Sequence, residues 1–293
     1  MKRFLTTVFL AAISCVAARS ETPPVDYYTP TGVAPAFFGP NAFPVPDMLD
    51  GRTSSVFRLE AYADSYLGNA VEGEDYTSDL FMRLVIPCFT PRVNFVMWGY
   101  LAEYCRTGPE ANSFRGVGYD GTLKDCYAGD FYISADAMIL TQEECGLDVS
   151  ARMALKTASG HRFHYARYYD SPGYFFDASA GRSFPIADGR AMARLAVSTG
   201  FLCWQTDVRR QNDAVMYGAH ASVSSGRWEL SAEYGGYVGW ERHGDAPMTL
   251  KTCLSCSFGN LVMKLQHQAG FADWPYHQLR FGAEYRFCFS KDR

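Results

Sequence analysis

The chain has 293 residues, 48% of them hydrophobic and 20% charged, with a formal net charge of −4. That balance excludes a disordered chain and argues against nucleic acid as a partner, since a broad nucleic-acid face takes an excess of Lys and Arg. Past the first segment no apolar run reaches the ~20 residues of a spanning helix, which excludes a helical membrane protein but not a barrel of alternating strands.

Lys2 and Arg3 precede the apolar stretch Phe4 to Ile13, and small residues follow through Ala18. This is the layout of a secretory signal peptide over residues 1–18, cleaved before Arg19. A weaker alternative is a lipobox-like run ending at Cys15, which would lipidate that residue. Eight of the nine cysteines lie further on, and an even number in an exported chain permits disulfides. Cys253 and Cys256 have CxxC spacing inside a strand pattern, where positions three apart face opposite ways. They read as two packed thiols, and no metal or other cofactor is expected.

Residues 19–53 form a proline-rich arm. Seven of the fourteen prolines fall within 21–53, and Pro fixes φ and removes donors, so the arm is expected to be extended, as a linker or a docking segment. From residue 54 to 293 the texture is period-two alternation. Twelve runs are expected as strands: 55–67, 76–88, 93–106, 129–141, 147–158, 173–184, 190–205, 213–224, 228–241, 248–258, 261–271 and 278–289. In the ninth, Trp228, Leu230, Ala232, Tyr234, Gly236, Val238 and Trp240 share one face. The twelve steps between its Trp residues span about 40 Å of strand, or roughly 30 Å along a membrane normal at ~40° tilt. A Gly259-Asn260 turn would pair Phe258 with Leu261, Leu254 with Leu265 and Lys251 with Gln268. A Ser225-Gly226 turn would oppose Val223 to Trp228 and Ser222 to Glu229. Short connections alternate with long ones, among them 107–128 and 159–172, as in antiparallel outer-membrane barrels. The fold expected is therefore all-β, an antiparallel transmembrane barrel of about twelve strands with the proline-rich arm at its N-terminus.

The stretch Arg280-Phe281-Gly282-Ala283-Glu284-Tyr285-Arg286-Phe287 resembles the C-terminal strand signal of Gram-negative outer-membrane β-barrel proteins, polar-x-Gly-x-x-aromatic-x-aromatic. The resemblance implies the barrel fold, an integral place in the outer membrane among its lipids and lipopolysaccharide, and recognition by the barrel assembly machinery. It names no substrate.

Strand phase turns Arg58, Glu60, Asp79, Arg83, Asp136, Arg152, Lys156, Asp177, Arg194, Glu233, Lys251, Arg280 and Glu284 inward, with Tyr62, Tyr100 and Lys264 beside them. Unpaired charges are not buried cheaply, so such an interior is either wetted or internally salt-bridged. Twelve strands fall between the filled eight-stranded barrel and the open sixteen-stranded one. The long loop Ser159–Pro172 interleaves Arg162, His164 and Arg167 with aromatics, a composition suited to lipopolysaccharide phosphates at the surface or to an inward constriction. Cys105 and Cys126, at the outer ends of neighbouring strands, are candidates for a disulfide. His220 and Ser222 share a strand face near Glu229, which resembles the arrangement in outer-membrane lipid A deacylases. The function expected is passage or binding of small polar solutes through a narrow charged lumen, without enzymatic activity. The alternatives are an accessory subunit of a larger outer-membrane complex docked through residues 19–53, and a lipid A or phospholipid hydrolase.

Overall fold

The computed structural model describes residues 35–68, 74–160, 163–205, 212–240 and 244–287. Alternation of side chains about each strand builds a single sheet of β1 (Phe57–Gly68), β2 (Asp75–Pro87), β3 (Val93–Thr107), β4 (Leu123–Tyr127), β5 (Phe131–Leu140), β6 (Asp148–Lys156) and β7 (Gly173–Ile186), followed by β8 (Ala191–Trp204), β9 (Asn212–Ser225), β10 (Trp228–Gly239), β11 (Met248–Phe258), β12 (Leu261–Ala272) and β13 (Tyr276–Phe287). Each strand pairs antiparallel with its neighbours, and β13 returns to β1 from Phe57↔Phe287 to Gly68↔Tyr276. Closure pairs both edges of every described strand except the short β4, which pairs only with β3. β4 and β5 both pair with β3, end to end, and make one broken stave, so the barrel has twelve. Among the described residues no helix is long and apolar enough to cross a membrane.

The strands lie where the alternation puts them, but the expected loop 107–128 is not all loop. It holds a short helix, Pro109–Phe114, and β4. Leu123, Asp125 and Tyr127 point inward in a run of five residues, too short to stand out as a pattern. The break before β5 falls at Gly129, where a Cβ would come within 2.3 Å of the Tyr168 hydroxyl.

The β11–β12 hairpin has the expected register, with Phe258↔Leu261, Leu254↔Leu265 and Lys251↔Gln268. The β9–β10 hairpin differs by two residues: Ser225 pairs with Trp228, so the turn is Gly226-Arg227. In both turns the glycine comes first and has positive φ, 59° at Gly226 and 61° at Gly259, as a type II′ hairpin requires. A two-residue shift keeps every side chain on its face, but it changes who meets whom. Glu229 stands opposite Ser224, and Ser222 lies between Ser231 and Arg194.

No disulfide joins Cys105 to Cys126. Cys105 is opposite Asp125 and Cys126 is opposite Tyr104. They are one register position apart on adjacent strands, which puts the two thiols on opposite faces of the sheet.

The largest departure concerns the arm. Its described part, 35–53, lies inside the barrel, with Phe38, Ala42 and Phe43 buried; residues 19–34 fall outside the described residues. Its first part is not extended as expected: Pro35–Phe37 form a single 3-10 turn, and the Ala42 N–H bonds the Gly39 carbonyl at 3.2 Å. A proline-rich backbone has carbonyls that no ladder satisfies, and here inward-pointing side chains of the barrel supply the donors. Tyr276 Oη donates to the Phe38 carbonyl, Trp274 Nε1 to Pro40 at 3.1 Å, Tyr237 Oη to Phe43 at 3.3 Å, Arg152 Nη2 to Asp47 at 2.6 Å and Arg194 Nη2 to Asp50 at 2.5 Å. Phe38–Phe43 sit at the end of the long connections. Thr53 and Ser54 reach Pro91 and Asn94 at the end of the short turns.

At that short-turn rim, Arg92 Nη2 donates to Glu144 Oε1 at 2.6 Å, and Glu144 also caps the helix Gln142–Cys145. The Arg92 hydrogen bond, with the Thr141 backbone N–H, holds the Glu144 carboxyl down at about 2, against an ordinary value of 4.5. A lowered carboxylate stabilises the fold above its unfolded pKa, and the contribution is lost as pH falls through the folded one. The difference in thermal stability between the wild type and Arg92→Gln should therefore be constant above pH ~5 and vanish near pH ~2. High salt should shrink it at every pH, because both groups are exposed.

Candidate functional site, a plugged lumen

Three regions succeed one another along the lumen. At the long-connection end, register sets Arg280, Asp64, Asp79, Glu103 and Tyr127 side by side across β13, β1, β2, β3 and β4. Three carboxylates in a row repel unless donors intervene. Arg280 Nε reaches Asp64 at 2.8 Å. Asn41 of the arm donates to Asp79 at 2.8 Å and to Glu103 at 2.7 Å, while its own amide oxygen accepts from Tyr66 at 2.9 Å. Glu103 also accepts from Tyr127 at 2.5 Å, Tyr168 at 2.7 Å and Arg167 at 3.0 Å.

Arg167 therefore does not stand on a surface loop. It is fully buried, and the loop that carries it folds inward with Tyr165 and Tyr168. His164 lies half-buried in the one-turn helix Phe163–Tyr165, and Arg162 lies outside the described residues. Nearby, Arg115 and Asp75 form a buried pair at 2.5 Å. Phe38 and Phe43 pack against Tyr169 at this end.

In the middle, wall cations meet the arm. Arg83 Nη2 lies 2.5 Å from Asp47 Oδ2, Lys251 also bonds Asp47, and Lys251 reaches Glu233 at 3.2 Å. Arg152 pairs with Asp177 at 2.7 Å. Towards the long-connection end Lys156 pairs with Asp130 at 2.6 Å, and towards the short-turn end Arg194 pairs with Asp148 at 2.8 Å. Asp136 accepts from Ser134 at 2.7 Å.

At the short-turn end the lumen opens into a cavity of about 740 Å³ walled by both signs of charge, among them Arg58, Glu60, Glu229, Lys264 and Glu284. Lys264 bonds Glu284 at 2.7 Å, with Arg58 3.8 Å from the same carboxylate. A second, smaller cavity of about 150 Å³ lies between the arm and the wall beside Arg83, Trp98 and Tyr132.

Of the thirteen charged residues placed inward by strand phase, nine are buried, and Arg58, Arg83, Glu233 and Lys251 line the 740 Å³ cavity. Strand phase missed Asp64, although it continues the series Arg58, Glu60, Tyr62. It also missed Glu103, because an irregularity between Leu80/Phe81 and Tyr100/Ala102 reverses the phase along β3. Asn41, Asp47 and Asp50 carry no periodic signal at all. His220 and Ser222 both point inward, but the register puts Ser231 rather than Glu229 opposite Ser222, and Glu233 opposite His220, so Glu229 is not the partner of this pair.

No protein-family model and no curated protein matches the chain. Solved structures do resemble it. The transport unit of the autotransporter AIDA-I from Escherichia coli is 9% identical over 85% of this chain and 95% of that one, with a TM-score of 0.52. The COG4313 outer membrane channel from Pseudomonas putida F1 is 13% identical over 91% and 100%, at 0.49. A KdgM porin in complex with disordered oligogalacturonate is 10% identical over 79% and 99%, at 0.46. The likeness is one of fold, the closed antiparallel barrel.

Proposed function

We propose that the chain is an integral outer-membrane barrel that passes or binds small polar solutes through a narrow charged lumen, held closed here by its own arm. The observation that carries this reading is the 740 Å³ charge-lined cavity, which opens at the short-turn end. Beyond it the lumen is obstructed by the arm and the inward-folded loop, packed among wall side chains such as Tyr62, Phe81 and Tyr100. A twelve-stave wall is wide enough for this arrangement. Membrane placement is supported by the outward band, where Trp228, Leu230, Val238 and Trp240 are exposed. Such a face suits hydrocarbon, with outer-membrane lipids and lipopolysaccharide around it. The motif Arg280–Phe287 lies in β13, a placement consistent with recognition by the barrel assembly machinery.

The test is conductance in planar bilayers. Full-length protein should show little steady current. A chain with residues 36–50 replaced by a Gly/Ser linker of equal length should give discrete conductance steps. Heat-modifiable migration on gels establishes that the altered barrel is folded. A folded, linker-bearing barrel that stays silent would defeat the channel reading.

A further inference from the structure

Arg83, Arg152 and Lys251 stand on β2, β6 and β11, which are three, five and four staves apart around the ring. Cross-strand neighbours meet through the wall, but staves so far apart do not. Their common partner is a single arm residue. Arg83 and Lys251 both bond the Asp47 carboxylate, and Arg152 donates to the Asp47 carbonyl at 2.6 Å. Without Asp47, Arg83 would have no carboxylate nearer than Glu60 at 4.0 Å. The Asp47 side chain is 32% exposed and lines the 740 Å³ cavity, so a solute that has entered that cavity reaches it. Pro44 and Pro46 have no N–H to give and the arm forms no ladder with the wall, so side chains alone hold the backbone here: Tyr237 bonds the Phe43 carbonyl at 3.3 Å, Glu233 accepts from the Met48 N–H at 3.2 Å and Arg194 bonds the Asp50 carbonyl at 2.5 Å.

We propose that Arg83 and Lys251 form an anion site whose internal occupant is Asp47. A carboxylate-bearing solute entering from the short-turn end takes the place of the Asp47 carboxylate, and the arm is thereby released. This rests on the channel reading above. Charge explains why the exchange would be selective. Withdrawing the arm alone leaves Arg83 with no carboxylate nearer than Glu60 at 4.0 Å and Lys251 with Glu233 as its one bonded partner, which is costly. Swapping one carboxylate for another leaves the charge balance unchanged, and a neutral solute offers no such exchange. In the resting state Asp47 wins because, tethered in the same chain, it acts at a high effective concentration.

The test uses the full-length chain folded in detergent, with sodium acetate compared against sodium chloride at equal ionic strength. Asp47→Ala empties the site. Acetate at about ten times its half-saturating concentration should raise the unfolding temperature of Asp47→Ala by roughly 3–5 °C. It should leave the wild type unmoved. Adding Lys251→Met to Asp47→Ala should abolish the rise. If Asp47→Ala does not fold, Asp47→Asn keeps the shape and is measured in the same way. An Asp47 variant that ignores acetate would overturn the anion site, as would an equal rise in the wild type, which would mark a general salt effect. The two readings fail separately. A silent linker-bearing barrel removes the channel whatever acetate does, whereas a conducting one beside an acetate-blind Asp47→Ala removes only the anion site.

Discussion

Replacing Glu103 by Ala should lower the stability of the barrel by about 3–5 kcal/mol, the cost of leaving a buried charge without its partner. Glu103 accepts hydrogen bonds from Arg167, Tyr127, Tyr168 and Asn41. Three separate parts of the chain thus meet on one carboxylate: the wall, the inward loop and the arm. Its loss leaves the fully buried Arg167 guanidinium with no carboxylate nearer than Asp75 at 3.9 Å, which is already paired with Arg115, and takes away one of the two acceptors of the Asn41 amide. Arg106→Ala is the matched control. Arg106 pairs with Glu74 at 2.6 Å, but both side chains are nearly half exposed, and such pairs contribute about 0–1 kcal/mol. Urea midpoints followed by heat-modifiable band shift would measure both. Equal shifts would show that the Glu103 group is not the fastening of the long-connection end.

Most of the barrel was legible because strand periodicity is a local property. A side chain's face depends on its immediate neighbours along the strand, and twelve staves follow from twelve alternating runs. The β11–β12 register was legible for the same reason, since Gly259 is the only glycine at that turn. At β9–β10 the same glycine rule points to Gly226-Arg227, but Ser225-Gly226 is an equally turn-like pair unless the glycine is required to come first. The contents of the lumen were much less legible. Prolines announce that the arm joins no ladder, but not where it lies. That is decided by Trp274, Tyr276 and Tyr237, donors brought to the arm only when distant strands close into a ring. Likewise Arg167 in an aromatic loop reads equally well as a surface cation or an interior one. The deciding partner is Glu103, 64 residues away on another strand.

The outward face allows a sharper test of the membrane reading than its composition does. Leu230, Leu254, Leu265 and Phe281 stand directly opposite one another across β10, β11, β12 and β13, and each is about half exposed. In water a row of this kind would be an aggregation hazard; in hydrocarbon it is the expected surface. Leu265→Arg should therefore cost about 2–4 kcal/mol of folding into bilayers, because the Arg would sit near the midplane. Leu230→Arg, closer to the short-turn end of its strand, should cost less. Ser231→Arg is one residue away but points inward, opposite Ser222 and Cys253 and into the 740 Å³ cavity. Water and the mixed charges of that cavity accept a guanidinium, so this variant should fold like the wild type. Folding yields into lipid vesicles for the three variants, with heat-modifiable migration as the readout, decide the matter. Equal damage from Leu230→Arg and Ser231→Arg would mean that the faces of β10 are reversed. Recovery of the wild type in the aqueous fraction without detergent would mean that the apolar band is buried against protein rather than lipid.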